Sequence, residues 1–167
     1  GRTPMRRKGR GGVEARVVDL QSILSDVGRI AREAGVFGSV AMEAGRLVCA
    51  AKASAEPAFY RVERDASSPT RIWVSLVMKD RWLSESIETD LVHTGDKLDE
   101  LLEDELVDLG WTHGRVPFEH FRSDDLLFTF RTPLDMSRHD ARDLGTLLLA
   151  YEQCFRQLGD MEADDED

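Results

Sequence analysis

Apolar residues in this chain recur at helical spacing near both ends and at strand spacing in between, with one helical interruption. A segment patterned for one period cannot bury the same residues in the other geometry, so these switches restrict the fold more than any other feature. The first periodic stretch, Val17 to Ala34, places Val17, Leu20, Ile23, Leu24, Val27, Ile30, Ala31 and Ala34 on one helical face, and Gly35 follows as a stop. Gly28 inside it marks either a close packing contact or nothing in particular.

The period then changes. Val36–Met42 and Arg46–Lys52 read as strands joined through Glu43-Ala44-Gly45, and Phe59–Val62 as a third strand closed by Ser67-Ser68-Pro69. Arg71–Lys79 (RIWVSLVMK) is dense in β-branched and aromatic residues, with apolar side chains on both faces, which predicts a central strand covered on both sides. Trp82–Thr89 alternates more weakly, as an edge strand would.

A second helix is predicted from about Asp96 to Leu109, capped by Thr94 or Asp96 and stopped by Gly110. Leu98, Leu101, Leu102, Leu106 and Leu109 form its apolar stripe, and its remaining face carries seven acids against Lys97. Like charges at such spacing oppose helix formation, so packing must overcome them. Next come a hairpin, Val116–Phe121 and Leu126–Thr132 around Ser123-Asp124-Asp125, a break at Pro133, and a closing helix. Ser137 and Asp140 resemble a capping box for that helix, and Gly159 its stop.

The expectation is an α+β fold: a single domain whose mainly antiparallel sheet of about five to seven strands packs against three helices in the order α-β-β-β-β-α-β-β-α. Residues 1–16 form a basic arm of net charge +5, residues 160–167 an acidic tail, and both are expected to be disordered around a folded body spanning 17–159. The body itself carries −9. Such a charge repels a phosphate backbone, so nucleic acid is not an expected partner except through the arm.

Composition bounds the setting. The chain has 167 residues, 41% of them apolar and 32% charged, enough for one real core and unlike a disordered chain. Apolar runs such as Leu147–Tyr151 are far shorter than the roughly 20 residues of a membrane span. No signal-peptide pattern is present, and the two distant cysteines, Cys49 and Cys154, suit free buried thiols. The expected location is therefore the cytoplasm.

Chemistry-bearing motifs are absent. His93, His113, His120 and His139 show no zinc-ligand spacing, and no phosphate loop or nucleophile elbow occurs, so neither a catalytic residue nor a metal ligand nor a cofactor is assigned. His113 and His120 could meet through the hairpin, with Asp124 nearby, or be ordinary hydrogen-bonded histidines.

The order of elements, and above all the stretch from the Leu98–Leu109 helix through VPFEHFRSDDLLFTFRTPL to LLAYEQCFRQL, resembles the type III secretion chaperone-like fold, in particular its YbjN-type branch. The resemblance covers roughly Val17 to Gly159. It implies a small acidic protein, commonly dimeric, that offers apolar grooves to a partner segment. With the charge reading, the expectation is a non-catalytic protein-binding module, chaperone- or adaptor-like, with an acid-rimmed apolar groove. Asp99, Glu103, Asp104, Trp82 and Trp111 are its candidate partner-binding residues. The alternative is a small enzyme or ligand-binding domain with a pocket near Trp111, His113 and His120.

Overall fold

A computed structural model describes residues 20–52, 58–79, 98–114, 116–122 and 127–166. The basic arm, the Trp82–Thr89 segment with Trp82 itself, the Thr94/Asp96 cap and the Asp124-Asp125 turn lie outside the described residues. Within them the expected α+β order holds: α1 (Leu20–Ala34), β1 (Phe37–Glu43), β2 (Arg46–Ala51), β3 (Ala58–Arg64), β4 (Arg71–Met78), α2 (Leu98–Asp108), β5 (Glu119–Arg122), β6 (Phe128–Asp135) and α3 (Ala141–Glu166). The six strands form one antiparallel sheet in the order β1-β2-β3-β4-β6-β5.

Local chemistry accounts for the turns. Gly35 ends α1 with φ +70°, and β1 and β2 join through Ala44 (φ +54°) and Gly45 (φ +81°), the paired positive values of a tight hairpin loop. At the end of α2, the Gly110 N–H donates to the Val107 carbonyl and the Trp111 N–H to the Leu106 carbonyl, at 3.0 and 2.9 Å. This is a Schellman stop, with Gly110 at the left-handed position (φ +94°). It turns the chain so that Trp111 packs into the core beside the buried Leu106.

The sheet has two unlike faces. On the inner face the register aligns Leu47, Val62, Val74 and Thr132 across four strands, and all four are fully buried or nearly so. Helix α1 lies on this face through Leu24, Val27 and Ala31, and Gly28 faces Leu47 there: a Cβ added to it would sit 3.4 Å from Leu47 Cδ1, at the near limit of ordinary van der Waals contact. Gly28 thus marks a packing contact. Helix α3 covers the remainder with Leu144, Leu147, Leu148, Tyr151 and Phe155. The Tyr151 hydroxyl meets the Thr132 hydroxyl at 2.7 Å, so this buried polar pair satisfies itself. The α1–α3 crossing is tight at Gly145, where a Cβ would come within 2.9 Å of Ile30 Cδ1. Helix α2 packs on α3 with Leu102 and Leu106 buried. Each fully buried side chain of this kind contributes about 1.5–3 kcal/mol by removal from water.

Three expectations are corrected. Pro133 does not break the ladder: β6 continues to Asp135, with Pro133 opposite Trp73. Strand β5 ends opposite Arg131, leaving β6 a sheet edge on that side, where proline is tolerated. The cap of α3 is Asp140, whose carboxylate accepts the Asp143 N–H at 2.9 Å, while Ser137 instead donates its N–H and hydroxyl to Asp135. Lastly, α3 passes through Gly159 to Glu166, so 160–166 is helical rather than an unstructured tail. A glycine stops a helix by taking a left-handed φ, and Gly159 keeps helical backbone.

Candidate functional site

The outer face of the sheet follows from the same strands read one residue out of phase. Across it the register aligns Val48, Arg61, Ser75, Arg131 and Glu119, and beside that row Phe59, Val77, Thr129 and Phe121. No described helix packs on this face. A groove of about 490 Å³ runs over it, lined from Arg46 on β2 to Phe121 and Arg122 on β5. Four inter-strand spacings separate those ends, roughly 19 Å.

Its floor is partly apolar, with Trp73, Val77, Phe121 and Leu127, and its walls carry Arg46, Arg61, Arg64, Arg122 and Arg131 against Glu63 and Asp65. Arg131 is held in place: its guanidinium carbon lies 3.7 Å from the Trp73 ring centroid and 4.7 Å from that of Phe121, and its Nε donates to Glu119 at 2.9 Å. Arg46 pairs with Glu63 at 3.1 Å. Between Arg61 and Arg131 lies Ser75, 3% exposed, whose hydroxyl has no hydrogen-bond partner. A buried hydroxyl costs free energy when unpaired, so an oxygen donor or acceptor arriving there would gain from it. The two-sided burial expected of β4 is present, since Ser75 and Val77 on this face are as buried as Ile72 and Leu76 on the other. Trp73 is only partly buried, so it stands in the groove and not in the core.

Of the residues singled out from sequence, Trp82 lies outside the described residues, and the others are placed as follows. Trp111 is 6% exposed, a core anchor whose Nε1–H donates to the Gly114 carbonyl at 2.9 Å. A burial this deep removes it from any partner surface. Glu103 is partly buried and Asp104 exposed on α2, Asp99 stands at the start of that helix with its side chain outside the described ones, and no described α2 side chain lines the groove. Arginines, with Glu63 and Asp65, supply the charged lining of the described groove.

His113 and His120 do not meet. The His120 ring stacks on Phe130 at 4.0 Å and 3°, on the inner face of β5 and β6. His113 instead meets His139 and Asp143, with Trp111 behind them. The His139 ring stacks on Trp111 (5.6 Å, 14°), and the His113 ring stands edge-on to both, its centroid 4.7 Å from each. Asp143 Oδ2 lies 3.0 Å from His139 Nδ1 and 3.3 Å from His113 Nε2. The signal for this cluster was local for two of its three residues: His139 and Asp143 are four apart at a helix start. Only tertiary structure adds His113.

The thiols offer no chemistry. Cys49 and Cys154 are free and buried, and burial pushes both up to about 12, which keeps them protonated and non-nucleophilic at neutral pH. Among the described residues, no helix is long and apolar enough to cross a membrane. No protein-family model matches the chain, and none of the curated proteins is significantly similar to it.

Proposed function

We propose that this protein is a non-catalytic polypeptide-binding module, chaperone- or adaptor-like, that takes an extended partner segment along the outer face of its sheet. The observation that supports this reading best is the Arg61–Ser75–Arg131 row: a buried hydroxyl without a partner, flanked in register by two arginines that line the same groove. Such a row suits a carboxylate, since guanidinium groups bind carboxylates with short, charge-assisted hydrogen bonds. The groove's length fits about six residues of extended chain, at roughly 3.3 Å each. Trp73, Val77 and Phe121 supply apolar contact. The occupant is therefore an acidic segment with apolar residues interspersed.

On this reading the acids of α2, Asp99, Glu103 and Asp104 among them, act on encounter rather than contact. They repel acidic sequences that approach from the wrong side and leave the arginine-walled face as the favoured approach. The resemblance to the YbjN-type branch and a cytoplasmic setting, which suits two buried free thiols, belong to the same proposal.

The test is a random peptide-display selection on the full chain, followed by anisotropy titration of the selected peptides against the parent, Arg61→Gln and Arg131→Gln. Peptides carrying Asp or Glu among apolar residues should enrich, and each substitution should weaken them about tenfold or more, as loss of a charge-assisted bond predicts. A selection with no enrichment, or affinities unchanged in both variants, would overturn the proposal.

A further inference from the structure

His113, His139 and Asp143 stand apart from the groove and have no part in the function just proposed. His113 sits in the turn that follows the Schellman stop of α2, His139 precedes the cap of α3, and Asp143 is in the first turn of that helix. Asp143 holds the position from which a capping-box carboxylate turns back to the cap. Here it turns the other way, and two imidazole nitrogens converge on the same oxygen, at 3.0 and 3.3 Å. All three candidate donor atoms lie within 4.8 Å of one another.

We propose that these three side chains form a binding site for a divalent transition-metal ion of the zinc type. The spacing is the first reason. Bonds of about 2.0–2.2 Å meeting at tetrahedral or right angles place ligand atoms roughly 2.9–3.5 Å apart; both distances to the carboxylate fall in that range, and the two imidazole nitrogens, within 4.8 Å of each other, close on an ion by a small rotation of the partly exposed His113 side chain. The donor set is the second. Two imidazoles and one carboxylate are borderline ligands that suit zinc and its neighbours better than calcium or magnesium, which prefer all-oxygen shells.

Preorganisation is the third reason. Trp111 is buried and fixed through its bond to the Gly114 carbonyl, and it backs both imidazole rings, so little side-chain freedom is left to lose on binding. Access is the fourth: the His113 side chain is 41% exposed, so an ion can enter and keep one open coordination position towards solvent. An ion held there ties the turn after α2 to the start of α3.

The test uses tag-free full-length protein, treated with chelator and titrated with Zn²⁺ by calorimetry and with Co²⁺ by visible absorption. The parent should take up one equivalent of Zn²⁺, give ligand-field bands with Co²⁺, and melt at higher temperature with zinc than without, because an ion that binds only the native state stabilises it by mass action. His139→Gln and Asp143→Asn should each weaken zinc binding by about tenfold or more and abolish the melting shift, whereas His120→Gln should bind as the parent does. Circular dichroism establishes that each variant is folded. If His139→Gln fails to fold, His113→Gln, at the more exposed position, takes its place. A parent that shows no saturable binding overturns the site. So does zinc binding that survives in either variant, or that is lost in His120→Gln as well.

Discussion

Val74 and Ser75 are neighbours on β4, both buried, and their environments have almost nothing in common. Val74 belongs to the inner face, where α1 and α3 supply apolar partners and the buried Thr132 and Tyr151 hydroxyls pair with each other. Ser75 belongs to the outer face, between two arginines, with its hydroxyl unpartnered. Strand alternation decides which face a residue joins, but the layer packed on that face decides whether burial stabilises the fold or holds a group in readiness. The inner face is built for stability. The outer face gives up some stability by burying polar groups, and that is the pattern expected where binding matters more than packing.

This contrast can be broken most directly by large-to-small substitutions. Leu148→Ala, at a fully buried inner position, should lower the unfolding free energy by about 2–5 kcal/mol in chemical denaturation. Trp73→Ala removes a larger side chain, yet it should cost only about 1–2 kcal/mol, the worth of a partly buried ring and one cation–π contact. Equal losses would mean that the outer face is core.

The polar residues sharpen the point. Tyr151→Phe leaves the buried Thr132 hydroxyl without its partner and should cost about 1–3 kcal/mol. Ser75→Ala removes a hydroxyl that has none, so stability should stay within about 0.5 kcal/mol of the parent or rise. A destabilisation by Ser75→Ala as large as that of Tyr151→Phe would show the hydroxyl to be satisfied after all.

The smallest effect lies at the turns that flank β4 and β6. The Ser67 N–H and hydroxyl hold the Asp65 carboxyl below its ordinary value, with a further contribution from Arg71, and the Ser137 N–H and hydroxyl do the same for Asp135. A carboxyl depressed in the folded state binds protons less readily there than in the unfolded chain. Its stabilisation is therefore present above the ordinary carboxylate range and is lost as pH falls through the folded value. Asp65→Asn and Asp135→Asn should each remove this stabilisation at neutral pH and so flatten the acid limb of the stability profile, leaving stability at the acid end nearly unchanged. An acid limb as steep as the parent's would place the relevant protons elsewhere.

Much of this was already legible in the residue pattern. Hydrophobic period located the three helices and six strands, because burying one face of an element requires a fixed spacing whatever lies opposite. Gly35, Gly45 and Gly110 marked turns correctly, since each takes a positive φ that other residues avoid. Cap assignment was harder: Ser137, Asp135 and Asp140 are all able to cap, and only the path of the chain into α3 chose Asp140.

What the sequence by itself determined, then, was the identity and order of the elements, properties set by local backbone geometry and by the period of the apolar stripe. What only the tertiary structure decided was which side chains from distant segments share a place. No spacing rule links His113 to Asp143, thirty residues apart in the chain, or Arg61 to Arg131, which face each other across Ser75 only because β3 and β6 both pair with β4. Trp111 shows the same limit from the other side. An isolated tryptophan after a helix stop fits a binding surface or a core equally well, and the Schellman turn, by reversing the chain over Leu106, put it in the core.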